Sequence, residues 1–174
     1  MTTSRLGLVQ VYTGDGKGKT TASLGLAIRA CGQGLRVCML QFLKGGVIGG
    51  EQLFASRYRP FPLLQPNEGN FFSQSEDERN AAALKALALA RNLVQSDEYD
   101  LVILDESVTA VYMQLISVCD LLDLLRSKRA DLELVLTGRG APPELVKEAD
   151  LVTEMVAVKH PFQLGVRARR GIEY

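Results

Sequence analysis

TGDGKGKTT, residues 13–21, follows the apolar run LGLVQVY, residues 6–12, and leads into a helical pattern that closes at Gly32. A short apolar strand, a glycine-rich turn and a helix in that order point backbone N–H groups and the positive end of a helix dipole at an anion. The string approaches the phosphate-binding pattern G-x-x-x-x-G-K-[ST], in which the loop cradles phosphates, the lysine reaches them and the hydroxyl serves Mg²⁺. Gly18, Lys19 and Thr20 supply its end, but Thr13 stands where the first glycine is expected and Gly14 comes one place late. Thr13, Gly14, Asp15, Gly16, Lys17, Gly18, Lys19, Thr20 and Thr21 are therefore the candidate nucleotide-binding residues. Lys17 and Lys19 make the loop cationic, a solvated surface charge being the lesser alternative for Lys17 taken alone.

Outward from this loop, short apolar runs alternate with helical patterns. Residues 35–41, 101–104, 132–136 and 151–156 read as strands, and residues 51–58, 117–127 and 143–148 as helices. Pro60, Pro62 and Pro66 break the pattern, so the stretch up to Ser73 reads as an irregular loop. Ser75 and Glu78 have the spacing of a capping box that opens a long helix to about Gln95, with Ala83, Leu87, Ala90 and Val94 on one face. Strands buried on both faces and joined by helices describe a mostly parallel α/β sheet flanked by helices.

At 174 residues and 47% hydrophobic, the chain fits one domain over residues 1–174. Twenty basic and twenty acidic side chains cancel, which removes any bulk attraction to nucleic acid or to an anionic membrane surface. Cys31, Cys38 and Cys119 are odd in number and form no C-x-x-C pair, so they read as reduced thiols. With no signal-like start and no apolar run of membrane-spanning length, the expectation is a cytoplasmic protein.

LVILDE, residues 101–106, places Asp105 and Glu106 at the end of an apolar strand. Two carboxylates there are costly if buried unpaired, and a Mg²⁺ ion shared with Thr20 removes the cost. Ordinary helix capping by Asp105 is the plainer alternative.

Several strings together resemble the ATP:corrinoid adenosyltransferase family: TGDGKGKTTASLGLAIRACG, QFLKG at 41–45, LDE at 104–106, TGRG at 137–140, VKHPFQLGV at 158–166 and the closing RRGIEY. The likeness runs from about residue 8 to residue 174. It implies a RecA-like P-loop fold, a homodimer, and transfer of the 5′-deoxyadenosyl group of ATP to the Co(I) centre of a reduced corrinoid with release of triphosphate. A reductase would supply the Co(I). The resemblance implies a nucleotide reversed in its loop, which Thr13 in place of glycine fits. It makes Lys19, Thr20 and Glu106 the catalytic group and Thr20, Asp105 and Glu106 the Mg²⁺ group. It adds Arg29, Arg139 and His160 as ATP contacts; Arg29 reads otherwise as a solvated helix-end arginine and His160 as a structural histidine. Family members carry a tryptophan near the loop before the long helix, whereas this chain has none and reads NEGNFFSQSE there. Phe71 and Phe72 are the candidate corrinoid contacts, core anchoring being the alternative. Only about five residues precede the first strand, so no lid is expected from that end. A P-loop small-molecule kinase and a non-catalytic corrinoid or nucleotide sensor remain the competing readings, while a small GTPase would carry an N-K-x-D string that is missing.

Overall fold

The structure, a computed structural model, describes residues 7–174 except Val47 and Glu68, and the side chain of Phe72 also lies outside the described residues. The expected start of the first strand at Leu6 therefore lies outside them too. Six strands form one sheet: β1 Val9–Thr13, β2 Val37–Gln41, β3 Leu63–Leu64, β4 Leu101–Asp105, β5 Glu133–Thr137 and β6 Leu151–Glu154. Their order is β3-β2-β4-β5-β1-β6, and every pairing is parallel. Parallel neighbours need crossovers, which the helices supply. These are α1 Lys19–Gly32, α2 Gly50–Tyr58, α3 Glu76–Gln95, α4 Ser107–Tyr112, α5 Val118–Ser127 and α6 Pro143–Glu148.

The alternation of side chains along a strand divides the core in two. Cys38, Leu40, Val102, Leu104, Leu134 and Leu136 pack on one face with Ala83, Ala86, Leu87, Ala90 and Val94 of α3 and Leu121 and Leu124 of α5. Val37, Met39, Leu101, Ile103 and Val135 pack on the other with Ala27 and Ala30 of α1. The small alanines let the helices approach the sheet closely, and the α3 stripe is the one its spacing predicts. Its capping box is present: Glu78 N–H donates to Ser75 Oγ at 3.3 Å, and Ser75 N–H donates to the Glu78 carboxylate at 2.8 Å.

Three features differ from the sequence reading. The proline-rich stretch contains β3, which reaches the sheet edge through two residues paired with Met39 and Leu40. An edge strand tolerates flanking prolines because its outer N–H groups need no ladder partner. The segment after Asp105 forms α4, a helix too short to show a period in the sequence. β6 is shorter than expected and all four of its residues are exposed, so it is an edge strand and not one covered on both faces.

All strands run the same way, so their carboxyl ends share one edge of the sheet. Thr13, Gln41, Asp105 and Thr137 end β1, β2, β4 and β5 there, each a buried polar residue closing an apolar run. Gln41 lies directly opposite Asp105 in the β2–β4 register.

Candidate active site

Thr13 turns out to be the last strand residue, paired with Glu154 of β6, and its hydroxyl accepts from Ala141 N–H at 3.2 Å. The turn begins one residue later. Gly14 has φ 95° and Gly18 φ 124°, values that side chains beyond glycine rarely adopt. A Cβ at Gly14 would also sit 2.5 Å from the Met155 carbonyl oxygen, because the chain leaving β6 packs against the loop. The displaced glycine thus follows from where β1 ends. Beyond Gly18, α1 buries Lys19, Ser23, Ala27 and Ala30 along one stripe. Lys19, only 7% exposed, donates to the carbonyls of Gly14 at 2.7 Å and Gly16 at 2.8 Å. Burial lowers its pKa and Arg139 adds to that, while Glu106, Asp15 and Asp105 oppose them.

Asp105 is the centre of the buried edge, with no exposed surface. One carboxylate oxygen accepts from Thr20 Oγ1 at 2.8 Å and Thr137 Oγ1 at 2.7 Å, and the other from Gln41 Nε2 at 3.1 Å. A carboxylate this well supplied with donors stays buried without a large penalty. Its side chain caps no helix: the residue before α4 is Glu106, with no side-chain cap. Glu106 holds a left-handed backbone at φ 61°, which costs a non-glycine residue about 1–2 kcal/mol. Its N–H donates to Thr137 Oγ1 at 3.0 Å, and the Thr109 hydroxyl donates to its carboxylate. Those two bonds hold Glu106 towards the cleft.

That cleft has a volume of about 650 Å³, within the range of small-molecule sites. Residues 15–21 of the loop, Glu106, Arg139 and His160 line its polar side, and Leu24, Ile28, Phe54 and Phe61 its apolar side. Arg139 donates to Asp15 at 2.8 Å, and Lys17 is held by Glu173 at 2.9 Å and the Ile172 carbonyl at 3.1 Å. His160 Nδ1 accepts from Phe162 N–H at 3.2 Å, starting a 3₁₀ turn at Pro161–Leu164. Thr13, Gly14 and Asp105 are not part of the lining, and Arg29 is an exposed residue in the last turn of α1 outside it. Phe71 is 1% exposed and belongs to the core against α3, so it offers no ring to a ligand. The core alternative holds for it because the 3₁₀ turn Phe71–Ser73 directs that ring inward; the Phe72 side chain falls outside the described residues.

Residues 5–174 match the family described as ATP:corrinoid adenosyltransferase BtuR/CobO/CobP. The chain belongs to that family. A corrinoid adenosyltransferase of Pseudomonas aeruginosa is 34% identical over 171 residues, covering 97% of this chain and 84% of that protein. One of Sinorhizobium sp is 34% identical over 176 residues, 99% of this chain and 82% of the relative. One of Escherichia coli (strain K12) is 32% identical over 168 residues, 97% and 86% respectively.

This member of the adenosyltransferase family also brings to the site residues that the sequence reading left unassigned. Gln41, Lys44 and Glu51 form a polar group beside Asp105: Lys44 Nζ donates to Glu51 at 2.6 Å, and Gln41 accepts from Gln65 at 2.7 Å. A polar residue ending an apolar strand was the available signal, since ligands bind at the carboxyl edge of parallel sheets. The last four residues, Gly171, Ile172, Glu173 and Tyr174, line the cleft as well. Nothing in their periodicity foretells that. Among the described residues no helix is long and apolar enough to cross a membrane, and the three cysteines are free.

Proposed function

We propose that this chain transfers the 5′-deoxyadenosyl group of ATP to the Co(I) centre of a reduced corrinoid. The electron pair of Co(I) forms the bond to C5′, the C5′–O5′ bond breaks, and its pair leaves on the triphosphate. The supporting observation is a single cleft that is polar and cationic along the loop and apolar along Leu24, Ile28, Phe54 and Phe61, in a member of this family. ATP has the same two-sided chemistry.

The developing charge lies on the triphosphate, so groups fixed in advance around it lower the barrier most. The loop N–H groups from Gly14 to Thr20, apart from that of Gly16, which donates to the Met155 carbonyl at 2.6 Å, and Lys19 play that part, and Arg139 and His160 reach the same lining. Mg²⁺ suits the donor set present: Mg²⁺ takes one or two carboxylates with substrate phosphates and waters. Among the described residues no three acid, His or Cys side chains gather around one point. Thr20 donates its hydroxyl hydrogen bond to Asp105, which leaves the lone pairs of that oxygen for the ion, and Glu106 faces the same cleft. When bound, the ion would neutralise charge on the leaving triphosphate. Asp105 acts behind Thr20, as a holder of that hydroxyl. Arg29 keeps its proposed nucleotide contact only if the nucleotide extends beyond the cleft lining.

A homodimer, a reductase as source of Co(I) and a cytoplasmic setting belong to the same proposal. Exposed Leu151, Val152, Val156 and Val158 along and after β6 support a protein partner on that edge, which sedimentation at graded concentration tests. The activity is tested by supplying ATP, Mg²⁺ and chemically reduced corrinoid and identifying the products. Triphosphate with a cobalt–carbon product is expected. ADP would make the protein a kinase, and unconsumed ATP a sensor.

A further inference from the structure

Five basic side chains line the cleft: Lys17, Lys19, Lys44, Arg139 and His160. Of these, Lys17 and Lys19 have most of their donors committed. Lys17 is bonded to Glu173 and the Ile172 carbonyl, Arg139 to Asp15, and Lys19 spends two of its three donors on Gly14 and Gly16. Lys44 differs. It follows the end of β2, its side chain is 34% exposed, and among the described residues its only hydrogen bond is the one to Glu51 at 2.6 Å. Asp105 attracts it at 3.6 Å, too far for a hydrogen bond. The ammonium thus sits between two carboxylates with donors to spare, in the lining that also holds Thr20 and Glu106.

We propose that Lys44 is a further catalytic residue of this site: its ammonium, held ready on Glu51, donates to the triphosphate and stays with it as it leaves. The assignment rests on the adenosyl-transfer reading. Lys44 undergoes no covalent change; one N–H moves from solvent to a phosphate oxygen. Glu51 and Gln41 position it. Gln41 Nε2 lies 3.3 Å from Glu51 and 3.1 Å from Asp105, so one amide ties the carboxylate that holds Lys44 to the carboxylate that holds Thr20. The two cations, Lys19 at the start of α1 and Lys44 just beyond the end of β2, then grip the leaving group from different elements. A purely structural Lys44 would neutralise Glu51 and Asp105 and touch no ligand.

Inorganic tripolyphosphate with Mg²⁺ is the probe that separates these roles, measured by calorimetry on the whole chain without corrinoid. Lys44→Met should weaken its binding about 10- to 100-fold, as expected for a lost hydrogen bond to a charged group. Adenosine binding should be unchanged, Lys44→Arg should recover most of the affinity, and kcat for adenosyl transfer should fall with the affinity. Tripolyphosphate binding indifferent to Lys44→Met, with adenosyl transfer intact, would overturn the assignment alone. An unchanged enzyme that performs no adenosyl transfer, yet binds tripolyphosphate in a Lys44-dependent way, would overturn the reaction and uphold the contact. Should Lys44→Met not fold, Lys44→Gln decides: it keeps a neutral donor beside Glu51 and should still weaken tripolyphosphate binding about tenfold, and unchanged binding overturns the proposal.

Discussion

The cleft is walled on one side by the carboxyl edge of the sheet and on another by the last residues of the chain, and the two walls are built differently. At the sheet edge Asp105 has no exposed surface and every bond it accepts comes from a neighbouring strand, helix or loop. At the other wall residues 161–174 are all exposed, and Lys17 holds their end, through Glu173 at 2.9 Å and the Ile172 carbonyl at 3.1 Å, while Glu173 also pairs with Arg169 of the same segment at 3.0 Å. The first wall keeps its shape because unmaking it would strand buried polar atoms. The second is held by pairs that water and salt compete for. A catalytic arrangement that must be ready before substrate arrives belongs on the first, and a boundary that must part for substrate belongs on the second.

Removing the centre of the rigid wall should have the largest effect. Asp105→Ala leaves Thr20, Thr137 and Gln41 without their acceptor and Lys44 with Glu51 alone as an ion partner. Loss of one partner of a buried charged network typically costs about 3–5 kcal/mol. Urea unfolding should show a loss of that size together with loss of activity; a change under about 1 kcal/mol would make the two walls energetically alike. Lys19→Ala comes next. It spares the strand and helix cores and removes a charge beside the leaving group, which should raise the barrier by about 2.7–4 kcal/mol, or roughly a hundred- to thousandfold in rate. Normal turnover would remove Lys19 from the proposed catalytic group.

The same contrast explains how much was legible in the sequence. The loop, α1, α3 and the strand that ends in Asp105 announce themselves because periodicity, glycine placement and acids after an apolar run are local signals. The interior of the sheet edge is less legible. Gln41 and Thr137 are ordinary polar residues until the register places them beside Asp105, and Lys44 and Glu51, seven positions apart, meet only in the fold. Phe71 shows the limit from the other side: adjacent phenylalanines in a loop suit a ligand or a core equally, and only the backbone of the turn sends Phe71 inward. The C-terminal wall is the least legible. Its contact with Lys17 spans more than 150 positions of sequence and rests on charge, which carries no period.

Glu106→Gln sharpens the comparison at an intermediate scale. The residue projects from the rigid wall but its carboxylate faces the cleft, so the change should leave the fold intact and raise the Mg²⁺ concentration for half-maximal activity about tenfold or more. Thr109 can still bond the amide oxygen, which isolates the charge from the shape. An unshifted Mg²⁺ requirement would give Glu106 a structural part only.

The smallest effect is expected at the exposed wall. Arg169 first, then Lys17, hold the Glu173 carboxyl down to about 2, well below its usual range near 4.5. A carboxylate with a depressed pKa favours the docked tail at pH values above its ordinary range, and that advantage is lost as pH falls towards about 2. Across the neutral range the contact should therefore be insensitive to pH and sensitive to salt. Glu173→Gln keeps the size of the side chain and removes its charge. Amide hydrogen exchange in residues 171–174 should accelerate several-fold, the melting temperature should not move, and exchange in β4 should be unchanged. Raising the salt concentration in the unchanged protein should reproduce the acceleration in the tail. A tail whose exchange responds to neither the substitution nor salt would be held by packing, and the division between a rigid and an ionic wall would fail at its weaker side.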